Sequence, residues 1–169
     1  MDKPAVELLV AATPAQLDLA RELFREYAAG LGIDLCFQGF EAELAELPGD
    51  YAEPAGALLL AFVDGQPAGC VGLRPRPEVD YVNACEMKRL YVRRAFRGFG
   101  LGRMLAQELM DRALQAGHSV LLLDTLDEME TARGLYESLG FEEIPPYYFN
   151  PIPGAHYLKA ELQASATRF

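Results

Sequence analysis

Apolar positions along the chain change period repeatedly, and each change marks an element. Val6 to Ala11 is short, apolar and β-branched, which predicts a strand. Thr13-Pro14 reads as a helix N-cap followed by proline in the first turn. Leu17, Ala20, Leu23, Phe24, Tyr27 and Ala28 then recur at helical spacing, and Gly30 and Gly32 are predicted to stop that helix. Phe40 to Leu47 predicts a second, shorter helix, and residues 48 to 56 a loop. Ala57 to Val63 and Ala68 to Leu73 predict two strands joined by the hairpin turn Asp64-Gly65. Arg74-Pro75-Arg76-Pro77 predicts a connection, because proline cannot continue a central strand. Val82 to Val92 predicts a long fourth strand, followed by a basic, glycine-containing loop over residues 93 to 99. Leu101, Met104, Leu105, Leu109 and Leu114 form the stripe of a helix from Gly100 to Ala116, with Gly117 as its stop. Val120 to Leu123 is apolar throughout, which predicts a central fifth strand. Met129 to Leu139 predicts a helix stopped by Gly140. Phe141 to Ile144 and His156 to Leu162 predict closing strands on either side of the loop from Pro145 to Pro151.

The predicted order is β-α-α-β-β-β-α-β-α-β-β. It mixes hairpins with a strand-helix-strand crossover, so the fold class is α+β: a mixed sheet with helices on both faces, in a single domain. The 169 residues suffice for a core without staples.

Charge narrows the function classes. Lys plus Arg is 15 and Asp plus Glu is 25, a formal net charge of -10. That balance speaks against nucleic acid as a partner. No apolar stretch approaches the roughly 20 residues of a membrane span, and no signal peptide is evident, so a cytoplasmic location without membrane contact is expected. Cys36, Cys70 and Cys85 lack metal-ligand spacing and read as buried, reduced thiols, so no metal is expected.

The informative stretch is Arg97-Gly98-Phe99-Gly100-Leu101-Gly102, between a strand and a helix. Glycines let backbone N–H groups approach an anion, and a helix start adds unpaired N–H groups and a positive dipole end. Arg93, Arg94, Arg97 and Arg103 add charge. A pyrophosphate suits this loop. The stretch matches neither the dinucleotide fingerprint G-x-G-x-x-G nor the Walker pattern.

Arg97-x-x-Gly100-x-Gly102 resembles the coenzyme A signature of the GCN5-related N-acetyltransferase (GNAT) family. The strand Cys85-Glu86-Met87-Lys88-Arg89-Leu90-Tyr91-Val92 is similar to that family's fourth strand. Ala132 to Phe141 resembles its A-x-x-L-Y-x-x-x-G-F element. The resemblance covers most of the chain and implies a GNAT-like, mostly antiparallel sheet with a cleft splayed between the fourth and fifth strands.

It also implies roles. The pantetheine arm of acetyl-CoA would lie along Leu90, Tyr91 and Val92, where a backbone N–H polarises the thioester carbonyl. Arg97, Gly98, Phe99, Gly100, Leu101, Gly102 and Arg103 would hold the pyrophosphate. Tyr136 would protonate the departing thiolate, and Glu86 would act as general base on the amine. The family often has Asn at the position of Met129, so that coenzyme contact is expected to be missing. Tyr27, Gln38, Asp124 and Tyr148 are the candidate acceptor residues. The implied reaction is acetyl transfer to a primary amine, on a small molecule or a peptide, by direct attack in a ternary complex. An inactive acyl-CoA-binding regulatory module is the alternative, and a homodimer is left open.

Overall fold

The computed structural model describes residues 5–31, 39–126 and 130–162. Its single sheet has seven strands in the order β1-β2-β3-β4-β5-β7-β6. These are β1 (Val6–Val10), β2 (Ala57–Val63), β3 (Gln66–Pro75), β4 (Ala84–Val92), β5 (Val120–Leu126), β6 (Glu142–Ile144) and β7 (Ala155–Glu161). Helices α1 (Pro14–Leu31), α2 (Phe40–Glu46), α3 (Leu101–Gln115) and α4 (Glu130–Ser138) connect them. Every neighbouring pair is antiparallel except β4 with β5, which is parallel. The element order and the mixed, mostly antiparallel sheet expected from the sequence are both present.

The period of two along the strands sorts apolar side chains into cores on opposite faces. On β2, Ala57, Leu59 and Ala61 meet Leu101, Leu105 and Leu109 of α3. Leu58 and Leu60 meet Leu23 and Phe24 of α1 and Leu44 of α2. The hairpin turn has Asp64 at φ 49° and Gly65 at φ 80°, the paired left-handed conformation that the twist of a two-residue hairpin favours.

Several boundaries shift from expectation, and four of the shifts have a clear physical cause. Gly30 does not stop α1, which continues to Leu31; a glycine costs an interior helix only about 1 kcal/mol, and α1 is anchored by Leu23 and Phe24. Arg74 and Pro75 belong to β3, not to a connection. Pairing with β2 ends at Leu73, so the missing N–H of Pro75 breaks no ladder on that side. β4 begins at Ala84, because Asn83 is left-handed (φ 52°) and turns the chain into the strand. β5 runs on to Leu126, supported along its length by β7.

Candidate active site

Two irregularities of β4 create a cleft. Gly72 pairs with Lys88 and Cys70 with Tyr91, so between these pairs β3 advances two residues and β4 three. β4 therefore carries a bulge. Arg89 lies within it, at φ 61°. The bulge resets the alternation of β4: Cys85 and Met87 belong to the α3-side core before it, Leu90 and Val92 pack there after it, and Tyr91 packs on the α1 side. The Arg89 side chain is buried. Its Nε lies 3.0 Å from Glu43 Oε2 of α2, and its guanidinium sits 5.1 Å over the Phe40 ring. The Cys70 thiol donates to the Arg89 carbonyl at 3.4 Å.

The second irregularity is the seam with β5. Only Ala84–Glu86 pair with Val120–Leu122. Beyond them β4 stays with β3 as far as Val92, and β5 stays with β7 as far as Leu126. The facing edges therefore separate and leave main-chain N–H and C=O groups without a strand partner along both walls.

The predicted phosphate loop closes one end of this opening. Gly98 has φ 93°, and Gly100 has φ 73° at the N-cap of α3. Met104 N–H makes the first bond back to the Gly100 carbonyl, so the N–H groups of the first turn lack helical partners. A cleft of about 650 Å³ runs from here past Leu90, Tyr91 and Val92 to Tyr136. Nine of the ten residues predicted to hold the coenzyme line it; Phe99 is the exception, with a half-exposed side chain outside the lining. Arg97 folds back, its Nε donating to the Val92 carbonyl at 3.0 Å. Arg103 donates to Ser138 Oγ of α4 at 2.6 Å. Arg93 turns away and pairs with Glu26 of α1 at 2.6 Å. The glycine conformations, the helix start, the two basic side chains and the apolar slot fit coenzyme A.

Tyr136 stands against Phe141, with ring centroids 5.7 Å apart. Burial holds its phenol well above the ordinary range, and the nearby Tyr27 and Asp124 push the same way. Tyr27, also in the cleft, is raised to about 12, chiefly by burial. Of the candidate acceptor residues, Tyr27 lines the same cleft as Tyr136.

Glu86, Asp124 and Tyr148 gather separately, on the sheet face opposite α3. Glu86 is fully buried. Arg74 Nε donates to its Oε1 at 2.8 Å, Arg76 approaches the same oxygen at 3.4 Å, and the Tyr147 hydroxyl donates to Oε2 at 2.6 Å. The Tyr148 hydroxyl and Asn150 Nδ2 donate to Asp124 Oδ2, the latter at 2.9 Å. Lys88 Nζ lies 3.7 Å from Asp124 Oδ1. Arg74, Arg76 and Lys88 were not anticipated as site residues. Lys88 was within reach, since it follows Glu86 by two on one strand and so shares its face.

Gln38 lies outside the described residues, as do Cys36, Phe37, Asp127 and Met129. His118 hydrogen-bonds the Ala55 carbonyl and His156 bonds Glu143, so neither joins the cleft. Among the described residues no group of three or more His, Cys, Asp and Glu side chains is placed to hold a metal, and no helix is long and apolar enough to cross a membrane.

Residues 18–141 match the acetyltransferase (GNAT) family. An uncharacterised N-acetyltransferase of Schizosaccharomyces pombe is 39% identical over 96% of this chain and 99% of its own length. The N-acetylaspartate synthetase of Danio rerio is 29% identical over 66% of this chain and 39% of its own length. Among solved structures, a GNAT-family acetyltransferase of Staphylococcus aureus has a TM-score of 0.76 at 19% identity, covering 94% of this chain and 100% of its own. A Salmonella typhimurium protein solved with its cofactor acetyl-CoA has a TM-score of 0.71 at 19% identity, covering 96% of both chains. The chain belongs to the acetyltransferase (GNAT) family and is an N-acetyltransferase.

Proposed function

We propose that the protein transfers the acetyl group of acetyl-CoA to a primary amine by direct attack within a ternary complex. The observation that carries this reading is the single cleft along Leu90, Tyr91 and Val92, on the part of β4 beyond its seam with β5, which joins Tyr136 to the glycine loop.

Gly98, Gly100, the first turn of α3, Arg97 and Arg103 hold the pyrophosphate. The main chain of Leu90 to Val92 supports the pantetheine arm, and one N–H there stabilises the negative charge that develops on the carbonyl oxygen. The amine nitrogen forms the new C–N bond and the C–S bond breaks. Tyr136 donates a hydrogen bond to the departing sulfur. Its raised pKa makes it a relay and not a net acid: as its proton passes to sulfur it takes one back from the nitrogen side, and tyrosinate does not accumulate. Glu86, enclosed by Arg74, Arg76 and Tyr147, serves as base through the Tyr147 hydroxyl. A covalent acetyl-cysteine is disfavoured, because the buried Cys85 thiol is raised to about 12 by burial.

The relative named N-acetylaspartate synthetase acetylates an amino acid by its name, which puts free amino acids at the head of the acceptor panel. The test is release of free coenzyme A with amines, amino acids and peptides in turn. Release stimulated by an amine supports the reading. Coenzyme A binding with no amine-stimulated release replaces it with an acyl-CoA-binding regulatory module.

A further inference from the structure

The last paired residues of the seam are Glu86 on β4 and Leu122 on β5. Lys88 and Asp124 each lie two residues further along, so they are the first side chains on that face past the point where the strands part. They stand at the mouth of the fork.

Their surroundings set them apart from the other charges nearby. Arg74 and Arg76 serve Glu86, and Arg89 serves Glu43 by a two-point contact at 3.0 and 3.2 Å. Lys88 and Asp124 are left to each other, but at 3.7 Å they are beyond hydrogen-bond distance. Tyr148 and Asn150 both donate to Asp124 Oδ2, which leaves Oδ1 facing the ammonium. Lys88 makes no hydrogen bond to a described residue, although its side chain is only 4% exposed. The Tyr148 ring lies 5.9 Å from Nζ and adds a weak cation–π contact. Burial lowers the Lys88 pKa, against the pull of Glu86 and Asp124. A largely buried side chain whose ammonium keeps unused donors, beside a carboxylate oxygen with no hydrogen bond to a described residue, is an arrangement that a ligand of opposite charges can complete.

We propose that the Lys88–Asp124 pair recognises an α-amino carboxylate, so that the acceptor is a free α-amino acid. This rests on the acetyl-transfer reading above. The acceptor's carboxylate takes the donors of Lys88, and its ammonium takes Asp124 Oδ1 before losing a proton to Glu86 through the Tyr147 hydroxyl and turning to the thioester. The two charges of an α-amino acid are a few ångströms apart, which matches the short gap between Lys88 and Asp124. A peptide or protein lysine lacks a carboxylate at that distance from its amine, as does a simple alkylamine.

The test uses the full chain with acetyl-CoA and three matched acceptors: an amino acid, its amide and its decarboxylated amine, each tried across side-chain types. The amino acid is expected to exceed the other two in kcat/KM by at least about 100-fold, since a site built to bond a polar group rejects analogues that lack it. In Lys88→Met that ratio is expected to fall to within about 3-fold, and Lys88→Arg is expected to keep most of it. Equal turnover of acid, amide and amine by the wild type overturns the proposal, and so does an unchanged ratio in Lys88→Met. Release of coenzyme A with none of the three defeats the acetyl-transfer reading instead. Calorimetry of the same amino acids with wild type and Lys88→Met then decides the role of Lys88 directly: binding lost in the variant supports it, and absence of binding to the wild type overturns it.

Discussion

Arg89 and Glu43 form a buried two-point ion pair, at 3.0 and 3.2 Å, that fastens the bulge of β4 to α2. Helix α2 and the strand whose Leu90 to Val92 line the cleft are thereby one mechanical unit. The Arg89 guanidinium sits over the Phe40 ring with little access to water, while Glu43 keeps a partly exposed edge.

Removing Glu43 takes the ion-pair partner from a guanidinium whose side chain is almost fully buried. Glu43→Ala is expected to destabilise the protein by about 3 kcal/mol, read from urea denaturation. Arg89→Met, which fills the space with apolar atoms, is expected to cost less than Arg89→Ala. Equal stability of wild type and Glu43→Ala would mean that the pair contributes nothing net.

Gly100 and Gly69 separate ligand effects from packing effects. A Cβ on Gly100 meets nothing within 4 Å, and only its φ of 73° opposes a side chain. Gly100→Ala is therefore expected to cost about 1–2 kcal/mol of stability and to raise the KM for acetyl-CoA several-fold. At Gly69 a Cβ would lie 2.5 Å from the Tyr91 carbonyl oxygen, forcing β3 away from β4. Gly69→Ala is expected to destabilise by more than Gly100→Ala in the same thermal melt.

Tyr136→Phe keeps the ring that packs on Phe141 and removes the hydroxyl alone. With coenzyme and acceptor saturating, kcat is expected to fall about 100-fold, with a melting temperature close to that of the wild type. A kcat within about twofold of wild type would assign the relay elsewhere.

Glu26 gives a pH signature. Its hydrogen bond to Arg93 holds its pKa below the ordinary 4.5. A lowered carboxylate pKa stabilises the fold above the unfolded value, and that contribution is lost as pH falls through the folded value. The exposed side of the pair limits it to about 1 kcal/mol. Wild type is therefore expected to exceed Glu26→Gln in stability at neutral pH, with the gap closing as the pH is taken below about 4.5.

What the sequence revealed was mostly local. The Asp64-Gly65 turn, the glycine loop and the stripe of α3 each rest on residues close together in the chain, and each lies where expected. The strands were legible from alternation, but their ends were not. Pro75 joins β3 because β2 stops pairing two residues earlier, and that depends on a partner strand. The bulge at Arg89 has the same origin. No property of arginine predicts φ 61°; the register against β3 and the reach to Glu43 impose it. The candidate site divided along the same line. The residues expected to hold the coenzyme come from two neighbouring stretches, 90–92 and 97–103, and all but Phe99 line one cleft. Lys88 and Asp124 belong to different strands, and only the geometry of the fork brings them together.

The short seam between β4 and β5 has a mechanical consequence. Among the described residues, three on each strand make the ladder that sews the β1–β4 half of the sheet to the β5–β7–β6 half. Such a seam is the weakest line of the ladder, and across it the halves are held chiefly by the α3-side core, where Leu121 and Leu123 lie in one cluster with Cys85 and Met87. On the proposed binding mode, a pantetheine arm along the open edge of β4 would lengthen the stitching from the ligand side. Amide exchange at Leu90 to Val92 and at Leu123 to Leu126 should slow together when the coenzyme binds, as two halves become a single rigid sheet.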